Sequence, residues 1–175
     1  MLEMLRRIIG QKPKPQPAPA PQRQFGAVSP GPARAPSFDS GLVPSLKHDH
    51  HELVELFEQI GRGFEQGRYA DLPAKLTAFK TRLEAHLLTE NVRFYNYVEY
   101  TLRDDNENLA LIRDFRREMN TIARGVIEFV KKYQGGMPND LARQSFLADY
   151  RAVGGLLVQR IQREEGNLYP LYIPG

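Results

Sequence analysis

Two ionisable residues four apart, His86 and Glu90, interrupt a run of apolar residues at helical spacing in the stretch LEAHLLTENVRFYNY, Leu83 to Tyr97. Side chains at i and i+4 lie over one another on consecutive turns, so both can reach one point inside a bundle of helices. That is the geometry of a metal site built between helices. The same kind of interruption recurs along the chain. His50 falls in the line of Leu46, Leu53 and Phe57, and Arg160 with Glu164 falls in the line of Leu157 and Leu168. A third apolar line carries Met119 at the corresponding depth. Charges inside a core are costly unless paired or bound to an ion, so their convergence calls for a partner.

The elements that must position these residues follow from the period of the apolar residues. A first helix starts at Pro44 or Ser45 and carries Leu46, His50, Leu53, Phe57, Ile60 and Phe64 inward, with His48 and His51 at the flank. Gly61, Gly63 and Gly67 close it. A second helix runs from Pro73 to about Leu102, and the polar stretch Arg103 to Asn108 reads as a short turn that makes neighbours antiparallel. A third helix buries Ile112, Phe115, Met119, Ile122, Val126, Phe129 and Tyr133 and ends at Gly135 and Gly136. Asn139 or Asp140 caps a fourth, which buries Phe146, Tyr150, Val153, Leu157, Arg160 or Ile161, Glu164 and Leu168 and ends near Pro170. The expected fold is all-α: an antiparallel up-and-down four-helix bundle over residues 41–175.

Ahead of the bundle, residues 11–40 read as a proline-rich, disordered linker. Residues 1–10 carry Leu2, Leu5 and Ile9 along one side and would be marginal as a lone helix. A frayed terminus is the preferred reading there, ahead of a docking helix or membrane contact by residues 1–9. The 175 residues are 41% hydrophobic and 26% charged, enough for one domain with a real core plus a tail. The absence of cysteine removes disulfides and thiolate metal sites and fits a cytoplasmic location. The net charge of +3 is weighted towards the tail, where Arg6, Arg7, Lys12, Lys14, Arg23 and Arg34 face only Glu3 and Asp39. The bundle itself is near neutral and collects no basic, aromatic face, so no nucleic-acid partner is expected. No apolar run approaches membrane-spanning length. There is no cysteine nucleophile and no glycine-rich phosphate loop, and no histidine follows the second helix to activate a serine, so no catalysis is expected. Glu164 and Glu165 are adjacent and point in different directions on a helix.

The segments Asp49-His50, His86-Leu87-Leu88-Thr89-Glu90 and Arg160-Ile161-Gln162-Arg163-Glu164-Glu165 followed by Leu168-Tyr169-Pro170 resemble the hemerythrin-like, or HHE cation-binding, family. The resemblance covers roughly Ser45 to Tyr172. It implies a bundle that holds two irons with histidines from four helices and two carboxylates. His50, His86, Glu90 and Glu164 match ligand positions. Met119 stands where the third-helix histidine is expected, and Arg160 where the fourth-helix histidine is expected.

Those departures change the expected chemistry. A thioether is a poor ligand for iron, which prefers imidazole and carboxylate. A guanidinium stays protonated, does not ligate, and pairs well with Glu90 and Glu164. The expected cofactor is therefore a single iron or none, with no complete two-iron centre. A mononuclear site would use His50, His86 and Glu90 with Arg160 swung outward. A lone inward histidine is more often a hydrogen-bonded core residue than a ligand, and His48 reads as solvated. The tyrosines Tyr95, Tyr97, Tyr100, Tyr150, Tyr169 and Tyr172 read as interior and rim residues before any aromatic binding surface.

A second resemblance, carried by Glu118-Met119-Asn120-Thr121 and by Val153-Gly154 with Leu157, Arg160, Glu164 and Leu168, is to the regulator of sigma D family. It implies a metal-free helical bundle that binds the principal RNA polymerase sigma factor. Two functions are thus expected: a regulatory or sensing bundle with an altered iron site, or a metal-free binding protein of the anti-sigma type. In either, a protein partner would meet the bundle surface or the proline-rich tail.

Overall fold

The periodicity of the apolar residues resolves into four rods in the computed structural model, which describes residues 35–174. The expected N-terminal segment and the linker up to residue 34 lie outside the described residues. The first rod is α1 (Leu42–Glu65). The second is α2 (Leu72–Thr89), continued by a π-helical stretch (Glu90–Tyr95) and by α3 (Asn96–Thr101). The third is α4 (Asn106–Tyr133), and the fourth is α5 (Asp140–Arg163) continued by a second π-helical stretch (Glu164–Leu168). α1 packs on α2, α2 on α4, α4 on α5 and α5 back on α1, which closes the ring of an up-and-down bundle. Among the described residues there is no strand, and no helix is long and apolar enough to cross a membrane.

Local chemistry sets the ends. Asp105 and Asn139 cap α4 and α5, accepting from the backbone N–H of Asn108 at 3.1 Å and of Ala142 at 2.9 Å. α1 begins at Leu42, two residues ahead of the expected proline, because the Asp39 carbonyl already accepts from Leu42 N. Pro44 then lies in the first turn, where its missing N–H has no intrahelical role.

The π-helical stretches are not foreseen by a constant helical period. Each begins at a glutamate of the polar layer, Glu90 or Glu164. A π turn inserts an extra residue, so Tyr95 and Tyr169 rotate inward beside Phe94 and Leu168. Asn91 Nδ2 donates to the Leu87 carbonyl at 2.8 Å where the backbone ladder changes register.

The core is divided in two. One apolar cluster, including Leu53, Phe57, Phe79, Leu83, Val126, Phe129 and Phe146, fills one end. Leu42, Leu46, Phe94, Tyr95, Val98, Ile112 and Leu168 belong to the cluster at the other. His50, His86, Glu90, Arg160 and Glu164 are buried, and in sequence each stands between residues of the two clusters. The polar residues therefore form a layer across the middle of the barrel, sealed above and below by aliphatic and aromatic side chains.

Candidate metal centre

Arg160 organises this layer. The residue is 2% exposed, and Nη2 lies 2.6 Å from Glu90 Oε2 and 2.5 Å from Glu164 Oε1. Its Nη1 donates to the Met119 carbonyl at 2.7 Å. Burial alone would lower the guanidinium pKa, but the Glu164 and Glu90 carboxylates outweigh it and keep the charge in place. Met119 contributes to this contact through its backbone oxygen.

Glu90 comes from the start of the first π-helical stretch. Burial and the neighbouring Glu164 charge push its pKa up to about 7, against the pull of Arg160 and His50. Tyr169 Oη donates to Glu90 Oε1 at 3.3 Å and lies 3.2 Å from His50 Nε2. Burial and these carboxylates raise the phenol pKa of Tyr169 and Tyr95, so both are neutral. Tyr95 Oη has no hydrogen-bond partner.

His50 faces carboxylates with both ring nitrogens. Nε2 is 3.1 Å from Glu164 Oε2, and Nδ1 is 2.7 Å from Glu165 Oε1. Burial works to lower its pKa, but Glu164 and Glu165 together raise it. The adjacent glutamates thus diverge and still end on one residue, one on each nitrogen. His86 is the opposite case. Burial, then the charges of His50, Arg160 and Arg82, lower its pKa to about 2, so the ring is neutral. It sits 4.8 Å from the His50 ring, and neither of its nitrogens makes a hydrogen bond.

His50, His86 and Glu164 each offer one ligand atom, and these atoms lie within 4.8 Å of one another, so the group could hold one ion. Glu90, the fourth expected ligand, stands outside this group and is engaged by Arg160 and Tyr169. Arg160 points inward with its head between the two carboxylates. His51 is exposed and bonds the Lys47 carbonyl through Nδ1 at 2.8 Å, and the side chain of His48 is 71% exposed. Glu165 and the pair Asp49 and Arg82 form part of the surroundings, a role that helical spacing alone does not reveal. The one available signal was position: Asp49 precedes His50, and Arg82 lies four residues before His86.

The family model for the Hemerythrin HHE cation binding domain matches residues 42–172. Comparisons with curated proteins and with solved structures return no match.

Proposed function

The chain belongs to the hemerythrin HHE cation-binding family, and on that premise we propose that its centre is an altered one, in which the Arg160 guanidinium replaces one of two metal ions. His50, His86 and Glu164 then hold a single divalent ion, and the bundle acts as a regulatory or sensing module. The observation that carries this reading is the guanidinium between Glu90 and Glu164 at 2.6 and 2.5 Å.

Charge balance separates one ion from two. With Glu90 ionised, above its raised pKa of about 7, Arg160 and one divalent ion bring three positive charges against the three carboxylates Glu90, Glu164 and Glu165, with both histidines neutral. A second ion would leave two buried charges uncompensated, which is prohibitive in a dry core. Two metal ions therefore do not fit. The donor set suits one ion of iron's class, because two imidazoles and a carboxylate match its preference. His86 is already neutral, whereas His50 would release the proton that Glu164 and Glu165 favour, so uptake would be weaker in acid. A bound ion of this kind supplies a redox-active or Lewis-acidic centre. The residues around it hold it, exclude water and fix its charge.

A second reading is a metal-free binding protein of the anti-sigma type. It is favoured by the position of Arg160, since a guanidinium against both carboxylates supplies them with a counter-charge without a metal ion. Metal analysis of freshly purified protein decides between them. About one ion per chain, lost in His86→Ala, supports the altered centre. Metal-free protein of full helicity supports the second reading, and two ions per chain refute both. Arg160→His is expected to raise metal uptake, and no gain counts against the site.

A further inference from the structure

A neutral imidazole carries one N–H and one lone pair, and whatever accepts the N–H decides which nitrogen is free to bind an ion. His86 is 1% exposed and has no hydrogen bond on either nitrogen, so the choice rests on the carboxylate that its ring faces, the nearest acceptor able to take the N–H. That carboxylate is Asp49, whose Oδ2 lies 3.5 Å from His86 Nδ1. Asp49 is mostly buried on α1, and its other oxygen accepts from Arg82 Nη2 at 2.7 Å. Arg82 stands one turn before His86 on α2 and also pairs with Glu52. The carboxylate is thereby held by the guanidinium through one oxygen, with the other turned to the imidazole.

We infer that Asp49, clamped by Arg82, is a positioning residue that fixes His86 as the Nδ1–H tautomer and leaves the lone pair on Nε2. The 3.5 Å separation is short of a hydrogen bond. A cation held by Nε2 would withdraw charge from the ring, make the Nδ1 proton more acidic and so strengthen its attraction to Asp49. A carboxylate behind the ring also raises the basicity of the ligating nitrogen, and loss of such a partner typically costs 10- to 100-fold in metal affinity, on the order of one to two decades. The effect on affinity rests on the one-ion reading of the centre, whereas the tautomer assignment does not.

The test uses the full chain, metal-free and labelled with 15N, and reads ring tautomers by long-range 1H–15N correlation. His86 is assigned among the four histidines by the signals lost in His86→Gln. The wild type is expected to carry its proton on Nδ1. Asp49→Ala should move population to Nε2–H, and Asp49→Asn should restore Nδ1–H, because the amide oxygen can still accept. A purely structural role for Asp49, bridging α1 to α2 through Arg82, would change the melting temperature and leave the tautomer alone. A wild-type proton on Nε2, or a wild-type pattern in Asp49→Ala, overturns the inference. If Asp49→Ala fails to fold, Arg82→Ala keeps the acceptor and removes the clamp, and an unchanged pattern there overturns the role of the clamp. Titration with Co(II) by visible absorption then reads affinity, expected to fall roughly 10- to 100-fold in Asp49→Ala and less in Asp49→Asn. A wild type that is Nδ1–H yet takes up no Co(II) sinks the one-ion reading and leaves the tautomer assignment standing.

Discussion

Replacing Arg160 by leucine removes the one cation that touches both Glu90 and Glu164, which are completely buried. Breaking a buried ion pair by deleting one partner costs roughly 3–5 kcal/mol, and loss of the hydrogen bond to the Met119 carbonyl adds about 1 kcal/mol. The expected loss at pH 8 is therefore about 5 kcal/mol. With a denaturant slope of about 2 kcal/mol per molar urea, the unfolding midpoint followed by helical circular dichroism with chelator present should fall by roughly 2–3 M. The deficit should shrink in acid. Without the guanidinium, Glu90, already raised by burial and the Glu164 charge, loses the cation that pulls against that rise, so the folded variant holds a proton that the unfolded one releases. Its stability is retained below the unfolded Glu90 value and lost as pH rises through the folded one. Adding Glu90→Leu and Glu164→Leu should recover much of the loss, because an apolar core of similar shape needs no counter-charge. A variant as stable as wild type at pH 8, or a deficit equal at pH 5 and pH 8, would refute the claim that Arg160 is the internal counter-ion of this layer.

The titrating groups, the helix glycines and the cap of α5 give three further expected outcomes. In metal-free protein, His86 held neutral to about 2 withdraws stability as pH drops below its ordinary 6.5, since only the unfolded chain takes up that proton. Glu90, raised from 4.5 to about 7, acts in the other sense: its contribution is complete below 4.5 and is lost as pH rises towards 7. Over 4.5 to 6.5 the two oppose each other, and the raised His50 continues the loss above 6.5. Urea midpoints should thus show a plateau that falls off on both sides at about 1.4 kcal/mol per pH unit per group, with the acid limb softened in His86→Gln and an unchanged limb contradicting the account. Gly61→Ala places a Cβ in collision with Tyr150 Oη, which now donates to the Phe57 carbonyl at 3.0 Å, and should cost roughly 1–3 kcal/mol by thermal melting. Gly155→Ala meets nothing within 4 Å on an exposed face of α5 and should gain about 0.5–1 kcal/mol, so equal effects at the two glycines would contradict the packing. Asn139→Ala should cost about 1 kcal/mol by removing the cap of α5, and native-state hydrogen exchange should place the loss in its first turn.

The sequence by itself determined the four rods and the layer. Apolar residues three and four apart specify helices whatever the packing partner. His50, His86, Glu90, Arg160 and Glu164 could be read as inward because each replaces an apolar residue in a buried line. That periodicity is local, so it survives in the linear text. Only the tertiary structure decided what those groups do to one another. The π-helical turns at Glu90 and Glu164 break the constant period, and their effect, turning Tyr95 and Tyr169 inward, depends on backbone register. The division of labour between the two glutamates, Glu90 with Arg160 and Tyr169, Glu164 also with His50, is set by distances between rods of a few ångströms. The same holds for Asp49 and Glu165, neighbours of layer residues whose side chains reach the histidines from flanking positions. Helical spacing fixes which way a residue faces. Coulomb and hydrogen-bond energies, which change steeply over the last ångström, fix which partner it meets, and that last ångström is set by how the four rods pack.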